Sequence, residues 1–279
     1  MLHASLAMAE PVVREVSNFE WNRTEEWFGG LSGIEVTSDG RRAVFVTDRA
    51  SLIFAALDRM DGAITGVSVM SRMPVRRPNG TSFVLRGRDT EGIAIASDDR
   101  TYISFEHRHR VAVLDRATGH TKDLPTHPDF NHLSLNSGLE ALAVAPDGSL
   151  YALPERPAEA DGTTPLYRFA NGTWRIAYRL PRTDAYQHVG ADFGPDGRLY
   201  LLERGVTPVG FTTRVRRLSL GPGGARSETL LTTIPSTYGN LEGLSVWRDK
   251  DGQIRLTMVS DNNFYALQRS QIVEFSLSE

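Results

Sequence analysis

The chain has 279 residues, of which 40% are hydrophobic and 23% are charged, and its formal net charge is −3. This composition is typical of a globular protein, and the net charge excludes an overall basic field that would recruit nucleic acid or anionic lipid. The absence of cysteine excludes disulfides, thiol catalysis and zinc–thiolate sites. No apolar run approaches the length of a membrane-spanning helix.

We expect an N-terminal tail over residues 1–9 and a single domain over residues 10–279. Within the tail, Ala7-Met8-Ala9 precedes Glu10-Pro11, which is the A-x-A pattern of a signal-peptide cleavage site. The tail is therefore either a signal-peptide remnant or an ordinary terminus. The first alternative predicts a periplasmic or secreted protein, and the second leaves the cytoplasm open.

A hairpin pattern recurs five times along the chain, beginning near Leu31, Thr90, Asn136, His188 and Leu241. Each copy has an apolar segment, a tight turn and a second apolar segment. Asp-Gly between such segments is a strong hairpin signal. The turns are Asp39-Gly40, Asp98-Asp99, Asp147-Gly148, Asp196-Gly197 and Asp251-Gly252.

The pattern predicts an all-β fold, a single β-propeller whose copies begin roughly 50 to 60 residues apart, the length of a four-stranded blade. Five blades are expected, and a sixth would have to lie between Ala55 and Asp89 or among the N-terminal residues. The last copy is followed only by Gln271 to Leu277, so an N-terminal strand near Val12 is expected to close the ring. A sandwich or barrel is the alternative. The propeller is favoured because the spacing from the first position of the blade to the turn aspartate is the same in four copies.

Each inner strand, the first of its blade, carries one acid at one of two heights. Three blades begin with glutamate, and the other two begin with Ser32 and Val189 but have an acid three residues later. Such carboxylates either pair with arginine in a structural ionic belt or bind a hard divalent cation, with Ca²⁺ the expected ion. A residue three positions further along a strand has its side chain on the other face of the sheet, unless a bulge intervenes. The candidate metal ligands are Glu91, Glu140, Glu242, Glu35 and Asp192.

A second set of acids ends the second strand of each hairpin: Asp48, Glu106, Glu155, Glu203 and Asp261. Antiparallel pairing should bring both sets to one mouth of the central tunnel. We expect Glu106, Glu155 or Glu203 to act as general base, and Arg49, Arg156 and Arg204, which follow three of these acids, to bind an anionic substrate.

Histidines near the same mouth allow further hypotheses. His188 precedes the fourth inner strand and is a candidate general acid or phosphate contact, with an ordinary loop histidine as the alternative. In the segment from Glu106 to Arg110, His107 and His109 alternate with arginines. This segment is interpreted either as an anion-binding cluster or as a solvated loop.

Four of the repeated segments, "DTEGIAIASDD", "NSGLEALAVAPDG", "GADFGPDGRLYLLER" and "NLEGLSVW" with the later "VSDNNF", resemble the bacterial phytase-like β-propeller family known as "esterase-like activity of phytase". The resemblance extends from about Leu31 to Phe275. It implies a periplasmic propeller that hydrolyses phosphate or carboxylic esters. More distant propeller phytases imply calcium ions that neutralise substrate phosphates. The resemblance implies functional acids only at positions that match the family's motifs, which are Glu91, Glu140, Glu203, Glu242 and Asp261. The first repeat departs from these motifs, since it has Ser32 in place of a glutamate.

The sequence therefore predicts a monomeric, metal-assisted hydrolase that acts on a small anionic or ester substrate. A bound cation would polarise a phosphoryl or carbonyl oxygen or activate water. The alternative is a non-catalytic periplasmic propeller that binds a small ionic ligand or a protein partner.

Overall fold

The computed structural model describes residues 11–84, 87–156, 161–182, 185–265 and 268–279, so the predicted tail over residues 1–9 lies outside the described residues. The described strands form five antiparallel sheets of four strands each, which are the blades of a propeller. Blade 1 comprises β2 (Leu31–Val36), β3 (Arg42–Thr47), β4 (Ser51–Met60) and β5 (Ala63–Pro74). Blade 2 comprises β6 (Thr90–Ile95), β7 (Thr101–Phe105), β8 (Arg110–Leu114) and β9 (Thr121–Asp123).

The remaining three blades follow the same order from the tunnel outward. Blade 3 comprises β10 (Ala141–Val144), β11 (Leu150–Leu153), β12 (Thr163–Ala170) and β13 (Thr173–Pro181). Blade 4 comprises β14 (Gln187–Phe193), β15 (Leu199–Thr207), β16 (Gly210–Gly221) and β17 (Gly224–Thr232). Blade 5 comprises β18 (Asn240–Arg248), β19 (Ile254–Asp261), β20 (Gln271–Ser278) and β1 (Val12–Glu20).

The N-terminal strand closes the ring, as the sequence predicted. β1 pairs with β20 from Val12 opposite Ser278 to Glu20 opposite Gln271, so both ends of the chain share blade 5. The described residues form five blades and not six. The stretch in which a sixth blade was considered supplies the end of β4 and all of β5.

Five apolar cores hold the blades face to face, one between each pair of neighbours. Between blades 1 and 2, for example, Val46 and Leu52 pack with Ile103 and Phe105, all fully buried. Burying a large apolar side chain contributes about 1.5–3 kcal/mol, so each core resists separation of its two blades. A 3₁₀ turn spans Pro128–His132, and no described helix is long and apolar enough to span a membrane.

The hairpin turns have the left-handed backbone that the Asp-Gly pattern predicts. Gly40, Gly148, Gly197 and Gly252 have φ values from 69° to 82°. In blade 2 the turn residue is Asp99, with φ of 65°, and aspartate is one of the few other residues that adopts this conformation readily.

The five inner strands approach one another so closely that small residues are required near their starts. The residues that directly follow Ser32, Glu91, Glu140, Val189 and Glu242 are Gly33, Gly92, Ala141, Gly190 and Gly243. A Cβ on Gly190 would lie 2.5 Å from the backbone oxygen of Glu242, and one on Gly92 would lie 2.7 Å from that of Glu140. The backbone of one blade thus lies against the backbone of the next and sets the width of the tunnel.

We predict that Gly190→Ala destabilises the protein by about 1–3 kcal/mol, because the added methyl group overlaps backbone that cannot rotate away. Gly221→Ala is the matched control, since nothing lies within 4 Å of a Cβ at that position. Urea unfolding of both variants measures the difference. Equal midpoints for the two variants would show that the inner strands yield without cost.

Candidate functional site

β-bulges place the first residue of the inner strands at the tunnel mouth. The pairing register shifts between Leu31 and Gly33, and equivalent shifts occur in blades 2, 4 and 5. A bulge leaves one residue unpaired and redirects its side chain. The shifts in these three blades fall at Glu91, Val189 and Glu242, and in blade 3 Glu140 directly precedes β10.

The acids that end the second strands lie at the same mouth. Backbone hydrogen bonds join Asp48 N to Gly30 O at 2.8 Å and Glu106 N to Asp89 O at 2.9 Å, and Asp261 pairs with Asn240. These contacts hold the end of each second strand beside the start of an inner strand. Carboxyls from four blades therefore converge at this mouth. We call the following eight groups the mouth cluster: Asp48, Asp89, Glu91, Glu106, Glu140, Glu155, Glu242 and Asp261.

Burial and mutual repulsion raise the pKa values of several members of this cluster. Burial, followed by Glu140 and Asp89, raises the pKa of Glu91 well above its usual value. Burial and then Asp89 raise the pKa of Asp48 to about 7. The pKa of Asp261 rises to about 8, first through burial and then through Glu242. Without an added cation, the mouth therefore holds protons at neutral pH.

Among the described arginines and lysines, Arg204 is the one that forms ion pairs with members of the mouth cluster. Its guanidinium pairs with Glu155 of blade 3 at 2.6 Å and with Glu242 of blade 5. Asn240 Oδ1 also accepts a hydrogen bond from it at 2.8 Å. Burial would lower the pKa of Arg204, but Glu242 and the neighbouring glutamates raise it, so the charge is permanent. Arg204, predicted to bind substrate, is occupied in joining blades 3, 4 and 5.

Glu35 and Asp192, predicted as metal ligands with the three inner glutamates, lie apart from them. Glu35 Oε1 accepts the backbone N–H of Ile95 at 3.1 Å, and Asp192 Oδ2 accepts that of Val246 at 2.6 Å. Burial first, and Asp192 second, raise the pKa of Glu35 well above its usual value. The two acids form a separate pair that links neighbouring inner strands.

Two further predicted residues, Glu203 and His188, are buried in blade 4. Arg216 Nε donates to both oxygens of Glu203 at 3.0 Å, and Arg214 also binds this carboxylate. Burial opposes ionisation, yet the hydrogen bonds from these two arginines leave the pKa of Glu203 below its usual value. His188 Nε2 lies 3.4 Å from Glu203 Oε1, and burial lowers the pKa of His188 to about 4. This neutral histidine also lines a cleft of about 370 Å³ beside Glu155 and Arg156.

Arg49 and Arg156, the other predicted substrate ligands, are exposed at the same end. The Arg49 guanidinium lies 3.2 Å from the centre of the Phe264 ring, a cation–π contact that orients it. Neither arginine forms an ion pair with any residue that the structure describes. Their charges are therefore not compensated by an ion pair with a described carboxylate.

Asp89 is a member of the mouth cluster that the sequence analysis missed. It precedes the inner strand of blade 2 and has no counterpart in the repeat. Its Oδ2 lies 3.1 Å from His107 Nδ1, and Glu106 Oε2 lies 3.9 Å from the same nitrogen. Arg108 and Arg110 pair instead with Asp123, which separates the predicted basic cluster into two parts. The sequence signal that could have indicated Asp89 is its i, i+2 spacing from Glu91.

The donor set of the mouth fits a hard cation such as Ca²⁺. All eight cluster members offer carboxylate oxygens, the ligands that Ca²⁺ prefers. Asp48 Oδ1 is buried and has no hydrogen-bond partner among the described residues. A buried, unpartnered carboxylate oxygen is costly unless protonated or bound to a cation.

Comparison with known proteins identifies the family. A family model described as "Phytase-like: Esterase-like activity of phytase" matches residues 26–264. The chain belongs to this phytase-like family. No curated protein is similar enough in sequence to be matched.

Solved structures support the fold. The PQQ-bound aldose sugar dehydrogenase of Streptomyces coelicolor is 13% identical, with 97% of this chain and 99% of that chain covered and a TM-score of 0.55. The virginiamycin B lyase of Staphylococcus aureus is 14% identical, with 95% and 74% covered and a TM-score of 0.44. At this identity the first similarity shows a common fold and not a common activity.

We predict that the chelator-treated protein loses stability as pH rises from about 5.5 to 8.5. A carboxyl whose pKa is higher in the folded state stabilises that state when protonated, so the stabilisation disappears as pH passes through the folded pKa, about 7 for Asp48 and Glu106 and about 8 for Asp261. Thermal unfolding should show Tm falling by about 5 °C or more.

Asp261→Asn should reduce this fall, because the amide has no charge to bury. Asp251→Asn, an exposed acid in a hairpin turn, is the control and should keep the wild-type profile. A Tm that is constant or rises over this pH range would show that the carboxyl charges are already compensated.

Proposed function

We propose that the protein is a cation-dependent hydrolase of phosphate or carboxylic esters whose active site is the mouth cluster. One observation carries the proposal: eight carboxyls converge at one mouth, and Arg204 is the only described arginine or lysine that pairs with them. A divalent cation would compensate the remaining charge. The description of the family, which names an esterase-like activity, supports hydrolysis of an ester.

Glu91, Glu140, Glu242 and Asp48 are the residues that we propose to hold the cation. They come from blades 1, 2, 3 and 5, so binding would also tie the ring together at its mouth. When bound, the ion would supply Lewis-acid polarisation of the ester and acidification of water.

Proton transfer requires a carboxylate that no arginine occupies. Glu155 and Glu203, two of the three predicted bases, are bound by arginines. Asp261 is a better candidate, because its Oδ1 accepts the Asn263 N–H at 2.7 Å and its orientation is thereby fixed. Its other oxygen, Oδ2, would accept a proton from the attacking water.

Arg49 of blade 1 and Arg156 of blade 3 would orient the anionic part of the substrate. Arg204 would act indirectly, by holding Glu155 and Glu242 in place. We further propose a monomer that acts on a small anionic ester, and export to the periplasm on the basis of the Ala7-Met8-Ala9 pattern.

We predict that Ca²⁺ raises the Tm of chelator-treated protein by about 5 °C or more at roughly a hundredfold excess over Kd, because it binds only the folded mouth. Glu91→Gln/Glu140→Gln should abolish this rise and the Ca²⁺-dependent hydrolysis of phosphoester or carboxylester substrates. The matched control is Asp98→Asn/Asp147→Asn, which changes the same charge in the same two blades at the exposed hairpin turns.

Two results would contradict the proposal in different ways. Hydrolysis that survives in Glu91→Gln/Glu140→Gln would place the active site elsewhere. A Ca²⁺-dependent Tm rise without hydrolysis across the screen would favour the alternative, a propeller that binds a small ionic ligand.

A further inference from the structure

We infer that Asp89, Glu106 and His107 form a second metal site, on the blade 2 side of the mouth, that takes a transition metal such as Zn²⁺. One ligand atom from each residue lies within 4.8 Å of the other two. His107 Nδ1 is 3.1 Å from Asp89 Oδ2 and 3.9 Å from Glu106 Oε2. With Zn–ligand bonds of about 2.0–2.2 Å, a tetrahedral site separates its ligands by about 3.3 Å, so small side-chain rotations suffice.

The backbone holds the two carboxylates in position before any ion binds. Glu106 N donates to Asp89 O at 2.9 Å, which fixes the strand end that carries Glu106 beside Asp89. Gly138 N donates to Glu106 Oε1 at 3.1 Å, which leaves Oε2 toward His107. Such hydrogen bonds to a ligating carboxylate are the usual means by which a protein orients its metal ligands.

The imidazoles at this position lack well-aligned hydrogen bonds among the described residues. His107 Nδ1 is buried and, although 3.1 Å from Asp89, makes no hydrogen bond of acceptable geometry. His109 is 8% exposed, and neither of its ring nitrogens makes one, although the backbone of Leu133 and Ser134 lies nearby. His109 Nδ1 and Glu106 Cγ would lie 2.7 and 3.0 Å from a Cβ on Gly138, so the second imidazole and the Glu106 side chain both pack against this glycine.

No arginine among the described residues forms an ion pair with these carboxylates, although the charge of Arg88 opposes the rise in the pKa of Asp89. Arg108 and Arg110 pair with Asp123, on the outermost strand of the blade. An imidazole nitrogen together with two carboxylates is a donor set suited to Zn²⁺ and its neighbours, whereas Ca²⁺ prefers oxygen ligands alone. The blade 2 site therefore differs in its donor set from the cation site proposed above. Both sites lie in the mouth cluster, but none of the three blade 2 residues is among the four proposed ligands of that cation.

We predict that the chelator-treated full-length protein binds one Zn²⁺ with an affinity that His107→Asn lowers at least about tenfold. Asparagine keeps the left-handed backbone of His107, whose φ is 58°, and blade 5 has Asn262 at the equivalent position. The variant should therefore fold. Isothermal titration calorimetry with Zn²⁺ measures the affinity, and His132→Asn, at an exposed histidine, is the matched control.

Electron paramagnetic resonance of Cu²⁺-loaded protein provides an independent readout. Nitrogen hyperfine structure should be present in the wild type and in His132→Asn, and should be weakened or lost in His107→Asn. Equal Zn²⁺ affinities for the two variants, or no stoichiometric binding by the wild type, would overturn the inference. The Ca²⁺-dependent Tm rise should persist in His107→Asn, so that the two metal proposals fail or succeed separately.

Discussion

The close approach of the five inner strands determines most of what this molecule can do. A Cβ on Gly243 would lie 2.8 Å from Gly33 Cα in the next blade, and one on Gly190 would lie 2.5 Å from Glu242 O. The backbones therefore leave almost no room along the tunnel, and larger side chains lie where bulges place them, at the mouth. Carboxyls from four blades converge there because the ring is narrow, and their repulsion is the consequence.

The protein compensates this repulsion on one side of the mouth and not on the other. Arg204 neutralises charge between blades 3 and 5, and the carboxylate of Glu203 is neutralised by Arg214 and Arg216. The carboxyls of blades 1 and 2 have no arginine of this kind among the described residues. An arginine is a permanent structural cation, whereas an exchangeable ion is available for chemistry. The carboxyls of blades 1 and 2 are therefore the part of the mouth that depends most on protons or on an exchangeable cation.

The repeat made the fold predictable, because four of the five copies show the same turn spacing and the closing strand follows from the strand that the last repeat lacks. The site was predictable only as far as the repeat extends. The convergence of inner and outer acids follows from antiparallel pairing. The pairing of Arg204 with Glu155 and Glu242 does not follow from antiparallel pairing, because it depends on how blades that are separated in sequence face one another. Asp89 was missed because the other four blades have no acid at the equivalent position, so the repeat does not single it out.

The position after each outer acid shows how one scaffold supports unequal chemistry. In blade 4 this residue is Arg204, buried and shared among carboxylates, whereas in blade 1 it is Arg49, exposed and stacked on Phe264. In blade 2 it is His107, beside two acids. The backbone delivers each of these side chains to the same end of the tunnel, since the hairpin fixes that position. The charge compensation by Arg204 and the roles proposed for Arg49 and His107 therefore fall on different blades at one repeated position, which differs between blades by a single residue.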